Sequence, residues 1–168
     1  ATGMYKDSGA VFTITPSNYF VDDYKIEGVK TVSNKGRNGA GNLNFDIDIA
    51  NGRVTTPDGE TATWESQRNR EWTIGESTTW LTDGIAGILD DTYSITGTAN
   101  GVNRLGRNFD ITITSPLIVA LDCKWIKQGT FDLVPQDLDT RTVDYGTGSC
   151  DNDATVTIGS RTYNVEMW

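Results

Sequence analysis

Apolar and polar residues alternate along most of this chain. Leu43, Phe45, Ile47 and Ile49 occupy every second position, with Asn44, Asp46, Asp48 and Ala50 between them. A period of two sends successive side chains to opposite faces, so this segment predicts a strand with one face buried. Gly9 to Thr15 repeats the pattern, with Val11, Thr13 and Thr15 on one face and Phe12 and Ile14 on the other. Tyr19 to Val32 predicts one long strand or a bent pair, marked by Tyr24, Ile26 and Gly28. The series continues with Thr61 to Glu65, Glu71 to Ile74, Tyr93 to Ala99, Asn108 to Thr114 and Leu121 to Val134. Thr140 to Tyr145, Ala154 to Ile158 and Thr162 to Trp168 complete it.

Turn residues separate these segments. Asn51-Gly52 predicts a tight turn into Arg53 to Thr56, and Pro57-Asp58-Gly59 predicts another into Thr61. Lys35 to Gly41 is a flexible loop by composition. Thr82 to Asp91 is the least strand-like part. Its Gly84 to Leu89 portion reads as an apolar loop packed on the core, with a short helical turn as the alternative. No other segment has helical periodicity of useful length. Short strands at regular spacing predict an all-β antiparallel fold: a sandwich, a barrel or a rolled sheet.

An echo runs through the chain. Tyr24-x-Ile26-x-Gly28 leads through a Gly/Asn loop to Phe45-Asp46-Ile47-Asp48-Ile49. Tyr93-x-Ile95-x-Gly97 leads through Asn100 to Gly106 to Phe109-Asp110-Ile111-Thr112-Ile113. The echo suggests two related strand units in tandem, 18–92 and 93–168, within one domain spanning 1–168; coincidence between ordinary hairpins is the alternative.

Length and composition narrow the class. A chain of 168 residues buries about 70% of the surface its unfolded form exposes, enough for a real core. It contains no run of 18 apolar residues, so no transmembrane helix is expected. It opens on Ala1-Thr2-Gly3 without an initiator Met, as a mature or trimmed product would. The net charge of −9 argues against nucleic acid as a partner. Arg68 with Arg70 and Arg104 with Arg107 form two small basic groups, read as solvated loop charge or as an anion site. Histidine is absent, which removes the commonest general base and any Ser-His-Asp or Cys-His arrangement.

The remaining candidate chemistry is sparse. The two cysteines, Cys123 and Cys150, sit at the edges of strand-like segments, and their simplest reading is one disulfide in an oxidising compartment. A reactive or metal-binding thiol pair is the alternative, but no histidine lies next to either cysteine to activate it. Asp144, Asp151, Asn152 and Asp153 concentrate oxygen ligands around a Gly-rich turn; Ca²⁺ is the natural cation, and self-bonded turn residues are the competing reading. Asp46 with Asp48, and Asp110, suit either a solvated strand face or carboxylate acid–base work. Of Trp64, Trp72, Trp80, Trp125 and Trp168, Trp72 and Trp80 flank loop-like sequence and are the candidates for surface display toward a glycan or a protein.

Tyr93-x-Ile95-x-Gly97, Asn103-Arg104-x-Gly106-Arg107-x-Phe109, Cys123-x-Trp125, Gly129 and Asp144-Tyr145-Gly146-x-Gly148-x-Cys150-Asp151-Asn152-x-Ala154-Thr155-Val156 occur in that order. Together they resemble the C-terminal part of a family of secreted proteins and lipoproteins of Bacteroidota. Tyr24 to Gly28 and Thr31 to Asn34 resemble its earlier part, so the likeness spans 18–168. The resemblance implies export, often with a lipid anchor at the outer membrane, and carries no catalytic motif. The expectation is therefore a non-enzymatic cell-envelope or extracellular protein, an accessory or interaction subunit of an outer-membrane or surface assembly. A carbohydrate-binding or Ca²⁺-dependent adhesion module is the alternative. Its partners would be envelope proteins or a glycan, and it would meet the membrane only through a lipid anchor or a complex. No cofactor is expected unless Ca²⁺ binds. The candidate contact loops are 35–41, 68–72, 80–89 and 100–107.

Overall fold

A computed structural model describes residues 2–167. The strands are β1 (Val11–Ile14), β2 (Tyr19–Val21), β3 (Tyr24–Arg37), β4 (Leu43–Thr55), β5 (Thr61–Ile74), β6 (Thr92–Val102), β7 (Asn108–Ala120), β8 (Ile126–Pro135), β9 (Arg141–Thr147), β10 (Asp153–Ile158) and β11 (Arg161–Glu166). Two single-turn helices, α1 (Trp80–Asp83) and α2 (Ala86–Leu89), lie between β5 and β6. All strands join one antiparallel sheet in the order β1-β3-β4-β5-β6-β7-β8-β9-β10-β11, and β2 pairs β3 beside β1. The all-β antiparallel class is the one observed. The sheet is not closed into a barrel.

Several segments differ from the expectation, each for a local reason. Asn51 takes φ 53°, whereas Gly52 is not left-handed. A two-residue hairpin turn of type I′ needs positive φ at both positions. One left-handed residue instead makes a bulge, the register shifts between Ile49 and Gly52, and β4 runs on to Thr55. Strand β3 extends through Lys35 to Arg37, leaving only 38–42 as the loop. The segment 68–72 is the interior of β5, not a loop. Residues 100–102 belong to β6, so the 100–107 loop shrinks to 103–107. Residues 121–125 form a connection, and β8 starts at Ile126. Part of 80–89 is helical, and Trp80, Leu81, Ile85 and Leu89 are exposed rather than packed on a core. Thr79 caps α1 by accepting from the Thr82 N–H at 3.2 Å. Of the last expected strand, Trp168 lies outside the described residues.

The register assigns side chains to faces. The row Thr13, Thr31, Asp48, Gln67, Thr98, Thr112, Asp132, Thr142, Thr157, Thr162 crosses ten strands through direct partners. Every member is polar. One residue along, the row Ile14, Lys30, Ile49, Ser66, Ala99, Ile111, Leu133, Arg141, Ile158, Arg161 crosses the same strands on the opposite face. Alternation thus yields a polar face and an apolar face over the whole width.

The core is small and lies toward the N-terminal side of the apolar face. Val32, Leu43, Phe45 and Trp72 are buried, with Phe12, Ile47 and Tyr93 packed against them. Residues 2–10 fold over this cluster. The Tyr5 ring stacks on Phe45 with centroids 4.7 Å apart, and the Lys6 ammonium sits 4.6 Å above the Trp72 ring. Buried Asn34 pins the cover by donating to the Tyr5 carbonyl at 3.0 Å. The echoed glycines Gly28 and Gly97 take φ of 131° and 128°. A Cβ on Gly97 would stand 2.2 Å from the Gln67 carbonyl oxygen, so both the conformation and the strand spacing require glycine there.

Candidate functional site

On the apolar face beyond β6, a further row pairs Ile113, Phe131, Val143, Val156 and Tyr163. Ile113, Phe131, Val143 and Val156 are partly exposed, and Tyr163 is 47% exposed. The strand contacts of β7–β11 are with their neighbours in the sheet, and the face curves enough that Arg68 on β5 interacts with the Tyr145 phenol on β9. The cover provided by residues 2–10 stops at the Val32–Phe45–Trp72 cluster. A partly exposed row of Ile, Val, Phe and Tyr running across five strands is typical of an interaction surface.

Charge is segregated between the two faces. All acids within β3–β11 fall on the polar face, Asp46, Asp48, Glu65, Glu71, Asp110, Asp132, Asp144, Asp153 and Glu166 among them. The apolar face carries Lys30, Arg68, Arg70, Arg141 and Arg161. None of these five belongs to a salt bridge among the described residues, where the pairs are Lys25–Glu27, Lys35–Asp46, Arg37–Glu76 and Arg104–Glu60.

Arg70 shows how the fold holds such a charge. Its guanidinium lies 4.9 Å from the Tyr93 ring centroid, 5.3 Å from Phe45 and 5.9 Å from Tyr5. It also donates to the Tyr5 hydroxyl, and its buried Nε has no hydrogen-bond partner. Burial pulls the Arg70 pKa below the usual guanidinium value. Arg68 donates through Nε to Ser66 Oγ at 3.1 Å and interacts across the face with Tyr145. Burial pushes the Tyr145 phenol up, and the Arg68 charge opposes that shift. The Tyr93 phenol is pushed up by burial and by Asp91, which accepts its hydroxyl proton at 3.1 Å.

The expected contact residues do not form one site. Trp72 is buried at 7% exposure, and its indole N–H donates to Asp91 at 3.1 Å, so it is not displayed. Trp80 is 59% exposed on α1, and the two do not make a shared platform. Arg68 and Arg70 project from the apolar face of β5. Arg104 and Arg107 lie in the β6–β7 loop at the opposite end of the sheet from α1. Cys123 and Cys150 are bonded, stapling the β7–β8 connection to the β9–β10 connection.

The acidic turn is partly assembled. Asp144, Asp151 and Asp153 line a cavity of about 640 Å³ together with Glu166, which the sequence pattern did not single out. Asn152 stays outside it; its carbonyl accepts from the Met167 N–H at 2.7 Å. Asp144 accepts from the Gly146 N–H and Asp151 from the Asp153 N–H, so each carboxylate closes its own turn. No group of three or more metal-ligating side chains converges among the described residues. Asp46, Asp48 and Asp110 stand on the open polar face, not opposed across a cleft.

Alternation along a single strand predicts two faces; the register across strands shows that the strand acids share one of them, while Lys30, Arg68, Arg70, Arg141 and Arg161 share the other. Comparison with known proteins finds no matching family, no matching curated protein and no matching solved structure.

Proposed function

We propose that this protein is a non-enzymatic interaction subunit that works outside the reducing cytoplasm, docking a protein partner on the apolar face of β7–β11. The observation that carries the reading is the partly exposed Ile113–Phe131–Val143–Val156–Tyr163 row, flanked by Arg141 and Arg161. The disulfide fits an oxidising, extracytoplasmic setting. The resemblance to exported Bacteroidota proteins favours the cell envelope as that setting.

Charge defines the partner's chemistry. A second copy meeting the same face would set arginine against arginine, with no strand acid on either side to compensate. Its polar face offers acids but threonine in place of apolar groups. The suitable partner is a different protein presenting an apolar patch edged by carboxylates. Asp46 and Asp48 stand side by side on one strand face rather than facing each other, which supports a binding role over a hydrolytic one.

The test is a photo-reactive residue at Val143, followed by cross-linking in the source envelope and identification of the adduct. The expected result is one dominant protein partner, lost when Val156→Asp is added while the melting temperature holds. Purification as a bare monomer with no Val156-dependent adduct would defeat the proposal.

A further inference from the structure

At the end of the sheet away from the disulfide, the apolar face ends in a cup of about 470 Å³. Phe109 on β7 and Leu133 and Pro135 on β8 form its floor, and Leu105 and Leu138 stand on the two neighbouring loops as its walls. Leu105 is 72% exposed and Leu138 47% exposed, so water meets leucine on both walls. The volume falls within the range of small-molecule sites, and the lining is mainly apolar, as such sites require.

The cup is built without a ligand. Asn103 Oδ1 accepts from the Leu105 and Arg107 N–H groups at 2.9 and 3.1 Å, which fixes the first wall. The Gln136 N–H donates to the Asn108 carbonyl at 2.8 Å, and the Asn108 N–H donates back to Gln136 Oε1 at 3.1 Å. These two bonds tie the second wall to the start of β7. A pre-formed wall spares a ligand the cost of ordering it.

Two guanidinium groups, Arg107 and Arg141, line the same cup. Neither forms a salt bridge with an acid among the described residues. Asp137 and Asp139 line an adjoining cavity with Asp110, which belongs to the polar face. An apolar floor with two arginines and no carboxylate in its lining matches a molecule with a hydrocarbon body and an anionic head. The planar arginine fork suits a carboxylate or a phosphate. We propose that this cup binds an anionic amphiphile, its chain against Phe109, Leu133 and Pro135 and its head between Arg107 and Arg141. The cup adjoins the partner row and shares Arg141 with it, but binding of a small amphiphile is read without any protein partner.

The oxidised protein would be titrated with decanoate, decanol, inorganic phosphate and phosphatidylglycerol vesicles, read by calorimetry and by amide NMR shifts. Decanoate is expected to saturate at one site and to move the amides of 103–109 and 133–141. Decanol and phosphate, each lacking half of the recognition, are expected to bind about tenfold more weakly or less. The double variant Arg107→Gln with Arg141→Gln should lose about tenfold in decanoate affinity without a change in melting temperature. Vesicles that shift the same amides would assign the head to a membrane lipid; vesicles without effect would assign it to a free acid. Absence of saturable decanoate binding, shifts confined to other residues, or affinity indifferent to the two arginines would each overturn the proposal.

Discussion

Asp91 holds together groups that are far apart in sequence. It is buried at 6% exposure and accepts from both the Trp72 indole and the Tyr93 hydroxyl. Asp91→Ala should leave both donors unsatisfied and cost about 2–4 kcal/mol, measured by urea denaturation. Glu71 gives a pH signature. Side-chain hydrogen bonds from Asn42 and Asn38, each 2.8 Å to Oε1, hold its carboxyl below the ordinary 4.5. A depressed carboxylate stabilises the fold above its unfolded pKa, and that contribution fades as pH falls through the folded value. The wild type should therefore lose more melting temperature than Glu71→Gln between about pH 5 and about pH 3. Some acid sensitivity should persist in the variant, because Arg37 holds the Glu76 carboxyl down in the same way. Neither role was legible in the sequence. Trp72 sits among Arg70, Glu71 and Thr73, a polar neighbourhood that suggests display. Its burial comes from Asp91 and Lys6, which only the folded chain brings to it.

Among the elements, the strands with plain alternation were the legible ones. Leu43 to Ile49, Asn108 to Ile113 and Ala154 to Ile158 lie where the period of two places them. The Pro57-Asp58-Gly59 turn also forms: Gly59 is left-handed at φ 84°, and the Thr56 N–H meets the Glu60 carbonyl at 2.9 Å. Asn51-Gly52 misled because the dipeptide suits a hairpin and a bulge alike. The outcome depends on whether the second residue turns left-handed, which pairing with Trp64 on β5 decides. The cysteine pair was legible as one bond, and its effect can be measured. Its ends are 27 residues apart, a loop whose closure in the unfolded chain is worth about 3–4 kcal/mol. Cys123→Ser with Cys150→Ser should lower stability by about that amount. Proteolysis or hydrogen exchange should locate the loosening at the β7–β8 and β9–β10 connections.

The molecule exposes 10341 Å² for 18.4 kDa, whereas a compact chain of that mass exposes about 8,200 Å². A single open sheet with one small core cluster accounts for the excess. Small-angle scattering of the monomer should give a radius of gyration above the roughly 15 Å of a compact 168-residue domain. Composition alone did not foretell this shape. It allowed a full core, but the apolar residues of β7–β11 form only one side of a layer, and nothing in the chain's own pattern supplies the other.

An open sheet has borders, and the last strand is one of them. All six residues of β11 are exposed, and among the described residues no strand pairs with its outer side. Such a border invites extension by a foreign strand, and an inward-pointing charge is a standard deterrent. Arg161 is such a charge, set on the apolar side beside Ile158. Arg161→Val should promote elongating aggregates relative to the wild type, visible by light scattering and by thioflavin fluorescence. A foreign strand adding at this margin would have to bury the guanidinium, a cost that the valine variant removes.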